Sequence, residues 1–185
     1  MTHADDDASR TAARAPYRIE RLTSGHDRSQ FASGNESLDR PCREHVQSWQ
    51  KRHLATTYVL VSSLEPTKVL GYYSLSMTNI RPGQLPSDLA SKLPRSTEIG
   101  AVLLGKLAVD QNLQGLGFGR FLLFDAFERS KSLQAEIASY AMVVDAIDLR
   151  AKAFYERFGF QSFPDTPMRL FLPFKLHIAR STADR

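Results

Sequence analysis

Three glycines fall within five positions in the segment QGLGFG, residues 114–119, which we call the glycine turn. An apolar run at 99–109 precedes it, and a segment typical of a helix, 117–132, overlaps and follows it. A turn that opens a helix can bind an anion, because the first N–H groups have no helical partner and the helix dipole adds partial positive charge. Glycine lets the backbone approach a phosphate closely. From the spacing alone, phosphate binding and a tight structural turn remain equally open.

The glycine turn does not match the common nucleotide-binding motifs. It lacks the GK[ST] of a Walker A loop, and its glycines do not follow the first strand of a βαβ unit with G-x-G-x-x-G spacing. The five histidines and the single cysteine show no ligand spacing such as H-x-x-x-H or C-x-x-C, so we expect no metal site.

The elements that must position the glycine turn follow from hydrophobic patterning and turn residues. Two strands followed by helical crossovers predict a mixed α/β sheet. The predicted strands are 17–22, 56–63, 68–80, 99–109, 139–147 and 168–176, with 56–63 and 68–80 in a hairpin; the predicted helices are 39–51, 117–132 and 148–160, with one short helical turn near Asp88 in the proline-containing loop 81–97.

The first predicted helix carries the only cysteine. Asp39 is its predicted N-cap, and Pro41 falls in its first turn, where proline is tolerated. Cys42, Val46 and Trp49 recur at three- to four-residue spacing, which predicts one apolar stripe. We therefore expect Cys42 to be buried as a small hydrophobic residue and not to act as a nucleophile.

Length and composition predict one domain, residues 17–178, in a chain of 185 residues. The polar residues 1–16, with an acidic cluster at 5–7, predict a disordered leader, and 179–185 a flexible tail. No apolar run reaches the roughly 18 residues of a membrane helix, and a single cysteine fits a reducing compartment, so we expect no membrane association and a cytoplasmic location. A formal charge of +4 weakly indicates an anionic partner.

Two motifs resemble a known family. Residues 109–119 resemble the pyrophosphate-binding motif Q/R-x-x-G-x-G/A of GCN5-related N-acetyltransferases (GNAT), with Gln114, Gly117 and Gly119 in its defined positions. The segment AKAFYERFGF, 151–160, resembles the tyrosine helix of the same family. The resemblance covers residues 17–176 and implies a single-domain α/β fold: a mixed, mostly antiparallel sheet flanked by helices, in which strand 103–109 splays from strand 139–147.

The resemblance implies acetyl-CoA as the acyl donor and direct transfer to an amine. Backbone groups on the central strand would hold the pantetheine arm and the thioester carbonyl, and the glycine turn would hold the diphosphate. The implied cofactor-binding residues are Leu107, Ala108 and Val109 on the strand, and Gln114, Gly115, Leu116, Gly117, Phe118, Gly119 and Arg120 at the turn.

Tyr155 is the candidate general acid. A phenol has a reference pKa of about 10 and a thiol about 8.5, so a neutral tyrosine is present at pH 7 and can donate to a departing thiolate. Helix geometry alone favours a core role for Tyr155; the FYERFGF context favours catalysis. The general base stays open among Glu98, Asp110 and a water chain, with Asp110 favoured as a turn cap.

A narrower resemblance concerns the acceptor. The segments FASGNESLD (31–39), TTYVLV (56–61), VLGYYSL (69–75), LPR (93–95) and LLGKLAVD (103–110) resemble the acetyltransferase toxins of bacterial toxin–antitoxin modules. That likeness implies aminoacyl-tRNA as the acceptor, a small ribbon-helix-helix antitoxin as partner and a possible homodimer. The sequence departs from the toxins at Pro41, Cys42 and 96–99. The candidate tRNA-binding residues are Arg95, Lys106, Lys92 and Arg43, with Arg40, Lys51 and Arg52 on the first helix.

Two alternatives to the toxin hypothesis remain. A GNAT enzyme that acetylates a small-molecule amine or a protein N-terminus would have the same donor site. A non-catalytic acyl-CoA-binding interaction protein belongs to a different class, and the presence of Tyr155 argues against it.

Overall fold

A computed structural model of the protein describes residues 17–94 and 96–175. The predicted leader 1–16, the predicted tail 179–185 and the candidate Arg95 lie outside the described residues. Seven strands form one mixed sheet in the order β1-β2-β3-β4-β5-β7-β6, with helices between them along the chain. The predicted α/β fold class is confirmed. The strands are β1 Tyr17–Arg21, β2 Thr56–Ser62, β3 Gly71–Ile80, β4 Ile99–Val109, β5 Ala141–Asp145, β6 Gln161–Phe163 and β7 Thr166–Pro173.

Strand pairing is antiparallel at the edges of the sheet and parallel at its centre. β1 pairs antiparallel with β2, and β7 pairs antiparallel with both β5 and β6. β4 pairs with β5 in parallel, over Val102–Leu104 of β4. β4 continues from there to Val109, five residues beyond the paired stretch. β6 was missed by the sequence analysis because only three residues form it.

The chain divides into two compact units. The first consists of residues 17–74 and 106–123, and the second of 75–94, 96–105 and 124–175. The helices are α1 Glu36–Arg40, α2 Val46–Lys51, α3 Ser87–Ala90, α4 Phe118–Ser132 and α5 Leu149–Arg157, with a π-helical stretch Pro41–His45 between α1 and α2. α3 is the short helical turn predicted near Asp88.

The first helical segment begins earlier than predicted. Asn35 is the N-cap, and its side chain accepts a 3.0 Å hydrogen bond from Ser37 N. The prediction that Asp39 caps the helix is wrong, because Asp39 lies within α1 and its carboxylate contacts Ser33 instead. Pro41 follows directly after α1, where the helix widens to a π-helical turn. Proline has no N–H and its ring crowds the preceding turn, which explains the widening.

The core of the first unit includes the predicted apolar stripe. Cys42 and Val46 are fully buried and Trp49 packs against them, as expected. Burial raises the pKa of the Cys42 thiol to about 12, so the thiol is protonated and unreactive at neutral pH. Tyr72 donates a 2.7 Å hydrogen bond to Leu38 O, which attaches α1 to this core. The other buried members of this cluster are Leu22, Phe31, Val59, Val61, Val69 and Ala108.

The second unit has its own core, built on strands β4, β5 and β7. Its largest members are aromatic: the Phe163 and Phe171 rings lie 4.9 Å apart. Residues from the 81–97 loop pack against the same cluster, which keeps that proline-containing segment folded. The buried members are Ile80, Leu85, Ala101, Ala141, Val143, Phe163 and Phe171. Within the described residues, each helix is too short or too polar to cross a membrane.

Candidate active site

The glycine turn begins where β4 ends. Asp110 follows Val109 and accepts hydrogen bonds from Asn112 N at 3.1 Å and Asn112 Nδ2 at 2.8 Å. These bonds cap the single 3₁₀ turn Gln111–Leu113, as the sequence analysis favoured for Asp110. The cap directs the chain out of the strand and into the glycines.

The glycines adopt conformations that other residues resist. Gly115 has φ 81° and Gly117 has φ 84°, both in the left-handed region. Gly119 lies in the first turn of α4. Two positive-φ glycines let the chain reverse within three residues and enter the helix at Phe118.

The amides at the start of α4 are arranged for an anion. Phe121 N donates to Gly117 O at 3.1 Å, so the helical hydrogen-bond ladder starts there. The first N–H groups of an α-helix have no acceptor within the helix itself. Together with the helix dipole, they form a positively polarised site of the kind that binds phosphate. The amides of Gly117, Phe118 and Gly119 lie at this end of α4.

The side chain of Gln114 holds the glycine turn in place through two hydrogen bonds. Its Nε2 donates to Ser33 O at 2.7 Å and to Val109 O at 3.0 Å. Both acceptors are main-chain carbonyls, so the side chain is engaged within the protein. Gln114 was predicted to contact the cofactor, and its side-chain amide holds the turn against β4 and the loop at Ser33.

The end of β4 is held closely against β3. Asp110 N donates to Leu70 O at 2.9 Å. A Cβ atom at Gly71 would lie 3.2 Å from Ala108 O and 3.1 Å from Leu122 Cδ1, so the close approach requires glycine there. Ala108 and Val109 are buried and Leu107 is half-buried.

The side chains within the glycine turn differ in environment. Phe118 is buried, and its ring meets Tyr17 edge-on at 4.7 Å between ring centroids. Leu116 is 59% exposed, and Arg120 is half-buried. Phe118 therefore anchors the turn to the core, and any contact it makes with a ligand is through its backbone.

Tyr155 lies on α5 in the second unit. Asp148 caps that helix by accepting from Ala151 N at 2.7 Å, and Gly159, with φ 93°, follows its end. Tyr155 is 8% exposed, with the rings of Phe154 and Phe160 at 5.2 and 5.5 Å. Burial raises the pKa of the Tyr155 phenol above its usual value, so the group stays protonated throughout the neutral range.

Neither carboxylate candidate for the general base stands free. Glu98 accepts from Arg81 Nε at 3.2 Å and from Asn79 Nδ2 at 3.1 Å, and about half of its side chain is exposed. Asp110 is committed to its cap. His45 is half-buried and His53 is exposed.

The candidate tRNA-binding cations are in unequal situations. Arg43 is engaged within the protein: its guanidinium makes bonds of 2.7 and 2.8 Å to the Glu36 carboxylate and donates to Phe31 O at 2.9 Å. Arg40 pairs with Glu44 at 2.9 Å. Lys106 is half-buried in the first unit, and Lys92 is exposed in the second. In the described part of the chain, no group of three or more His, Cys, Asp or Glu side chains could hold a metal ion.

Comparison with known proteins decides the family. The model described as an acetyltransferase (GNAT) domain matches residues 58–162, which include both the glycine turn and Tyr155. The chain belongs to the GNAT family. The GNAT assignment makes the protein an N-acetyltransferase, confirming the predicted fold and enzyme class.

Several GNAT relatives match nearly the whole chain. The tRNA-acetylating toxin of Mycobacterium tuberculosis (strain ATCC 25618 / H37Rv) is 30% identical over 160 residues, covering 84% of this chain and 90% of the toxin. AtaT complexed with acetyl-methionyl-tRNAfMet is 29% identical, with a TM-score of 0.80, covering 86% of this chain and 95% of AtaT. A tyrosine-to-phenylalanine mutant of AtaT, bound to the C-terminus of the antitoxin AtaR and acetyl-CoA, is 26% identical, with a TM-score of 0.74, covering 86% and 94%.

Proposed function

We propose that the protein is a toxin that transfers the acetyl group of acetyl-CoA to the free amino group of aminoacyl-tRNA and so blocks translation. The observation that carries the proposal is the likeness, over more than four-fifths of the chain, to a tRNA-acetylating toxin and to a structure of AtaT with acetylated methionyl-tRNA. Acetylation removes the nucleophilic amine that peptide bond formation needs.

The glycine turn fits the diphosphate of acetyl-CoA. Its positive-φ glycines allow close backbone approach, and the first amides of α4 point a partial positive charge at the anion. The backbone groups of Leu107, Ala108 and Val109 are the proposed contacts of the pantetheine arm and the thioester carbonyl. Acetyl-CoA supplies the activated acyl group, and the backbone N–H groups stabilise the oxyanion that develops on it.

Transfer requires one bond to form and one to break. The neutral amine attacks the thioester carbon, the C–N bond forms, and the C–S bond breaks with its electron pair on sulfur. In this proposal Tyr155 donates its phenolic proton to that sulfur, which its raised pKa keeps available at neutral pH. The amine proton leaves to water, because Glu98 and Asp110 are both engaged in hydrogen bonds within the protein.

The acceptor and the partner follow from the same relatives. The +4 formal charge of the chain suits an RNA substrate, and Lys106 and Lys92 are the proposed phosphate contacts within the described residues, with Arg95 and Arg43 as further candidates. AtaT binds the C-terminus of AtaR, so we propose a small antitoxin of the ribbon-helix-helix type for this protein. We further propose that residues 17–178 form the catalytic domain and that the protein is a homodimer. It would act in the cytoplasm, where charged tRNA is found.

A labelling experiment tests the proposed acceptor. The purified protein is incubated with radiolabelled acetyl-CoA and bulk charged tRNA, and the RNA is then digested to identify any acetylated aminoacyl ester. Label on charged but not on deacylated tRNA is the expected result. Label confined to polyamines or to protein N-termini would overturn the tRNA proposal and leave an acetyltransferase with a different acceptor.

A further inference from the structure

Asp39 is a buried carboxylate with no part in the proposed chemistry. It is 4% exposed and accepts two hydrogen bonds from Ser33, from N at 2.8 Å and from Oγ at 2.5 Å. A buried charge is costly unless hydrogen bonds satisfy it, and bonds to a carboxylate are stronger than bonds between neutral groups. Asp39 therefore fixes the position of Ser33 firmly.

The segment that Asp39 fixes is also the support of the glycine turn. Ala32 O accepts from Gln111 N at 2.8 Å, and Ser33 O accepts from Gln114 Nε2 at 2.7 Å. Ala32 N in turn donates to the carboxylate of Asp110 at 3.4 Å. Three contacts thus tie residues 32–33 to residues 110–114, immediately before the first positive-φ glycine.

Capping of α1 does not require Asp39. Asn35 already serves as N-cap through its bond from Ser37 N. The carboxylate of Asp39 accepts from Ser33 and does not cap the N–H groups of α1, although Asp39 lies in the first turn of that helix. Its two bonds act on the support of the glycine turn.

We propose that Asp39 is a positioning residue for acetyl-CoA binding: through Ser33 it sets Gln114 and hence the amides of the glycine turn. The inference rests on the proposed assignment of that turn to the diphosphate of acetyl-CoA. Asp39 itself touches no substrate in this scheme. Since misplacement of a binding group by about 1 Å can cost up to about 100-fold in rate, loss of the Asp39 acceptor should weaken acetyl-CoA binding about tenfold.

The test compares four single variants and one double variant. Titration calorimetry measures their affinity for acetyl-CoA, and steady-state kinetics with charged tRNA measure KM and kcat. Asp39→Ala should raise the Kd and the KM for acetyl-CoA about tenfold, with kcat at saturation nearly unchanged. Asp39→Asn keeps an oxygen acceptor and should restore most of the affinity. Glu44→Ala removes an exposed carboxylate whose ion pairs, with Arg40 at 2.9 Å and with His45 at 3.8 Å, both lie within the same helical segment, so it is the matched control with wild-type affinity.

The fourth variant, Gln114→Ala, distinguishes positioning from general destabilisation. If Asp39 acts through Gln114, the two losses should not add. The Asp39→Ala/Gln114→Ala double variant should then have a Kd for acetyl-CoA no higher than the higher of the two single-variant values. Wild-type affinity in Asp39→Ala, or multiplied losses in the double variant, would overturn the inference. If Asp39→Ala does not fold, Ser33→Ala, which removes only the hydroxyl donor, should raise the Kd about threefold, and an unchanged Kd would overturn the inference equally.

The outcome for the wild type separates this inference from the proposed function. Absence of acetyl-CoA binding by the wild-type protein would refute the assignment of the glycine turn itself. Binding by the wild type that is unaffected in the Asp39 variants would refute only the positioning role.

Discussion

The side-chain amide of Gln114 donates a 2.7 Å hydrogen bond to the carbonyl oxygen of Ser33, 81 residues away in the sequence. The same nitrogen donates to Val109 O at 3.0 Å. One glutamine thus holds together the end of the central strand, the loop before α1 and the start of the glycine turn. The side chain at this motif position therefore donates to two main-chain carbonyls within the protein.

Because position 114 must donate hydrogen bonds, two substitutions there should have different effects. Gln114→Glu places a carboxylate, which only accepts hydrogen bonds, against two carbonyl oxygens. We expect it to lower the free energy of unfolding by about 0.5–1.5 kcal/mol and to weaken acetyl-CoA binding. Gln114→Arg retains several N–H donors and should preserve both. Denaturant unfolding and calorimetry measure the two effects; equal behaviour of the two variants would show that donation is not what this position provides.

Removing the phenolic oxygen of Tyr155 should affect chemistry without affecting binding. The ring is packed between Phe154 and Phe160, so Tyr155→Phe should keep its fold and its Kd for acetyl-CoA. Loss of a general acid lowers kcat by about 10²–10⁴-fold. Tyr140→Phe, at a half-buried tyrosine in the same unit, is the control and should keep wild-type kcat. Unchanged turnover in Tyr155→Phe would remove this residue from the mechanism.

The sequence predicted those elements of the fold that have a long, continuous residue pattern. β4 matches the predicted 99–109 to the residue, because ten of its eleven residues, all except Lys106, are apolar or small and turn signals flank the run. The tyrosine helix, predicted over 148–160, runs over Leu149–Arg157. β6 was missed because three residues carry too little pattern, and the strand exists through its pairing with β7.

The site could be predicted only where the residue types themselves indicate a local backbone conformation. Glycines at 115 and 117 predicted a special backbone, and both have positive φ. The partner of Gln114 is a main-chain carbonyl of a distant loop, which no pattern of residue types reveals. Asp39 was assigned to the wrong role for the same reason: the donors that reach its carboxylate, Ser33 N and Oγ, are placed by how the 31–34 loop folds over the end of β4. The serine and asparagine in FASGN were the available signal.

A side chain at Gly115 should be tolerated sterically but not conformationally. A Cβ there would meet nothing within 4 Å, yet φ is 81°. Gly115→Ala should therefore lower the free energy of unfolding by about 1–2 kcal/mol through left-handed strain alone, and weaken acetyl-CoA binding as the turn relaxes. Gly83→Ala, at a site with equal space and no positive φ, should change neither quantity. Unaltered stability of Gly115→Ala in urea would contradict the strain argument.

Alkaline pH should destabilise the protein because three buried groups resist ionisation. Burial raises the pKa of Cys42 from its usual value to about 12, and raises those of Tyr72 and Tyr155 as well. Above about pH 9 the unfolded chain releases protons that the folded chain retains. The folded state therefore loses stability as pH rises, by about 1.4 kcal/mol per pH unit for each such group.

The order of these losses can be resolved. The thiol ionises first in the unfolded state, so the decline between pH 9 and 10 should come mainly from Cys42, and the tyrosines should steepen it above pH 10. Urea denaturation at pH 7, 9, 10 and 11 measures the slope. Cys42→Ala, although less stable at pH 7 because it leaves space in the core, should show a flatter dependence from pH 9 to 10. A wild-type slope in that variant would mean that the thiol ionises as easily in the folded protein as in the unfolded chain, contrary to its burial at the centre of the α1–α2 stripe.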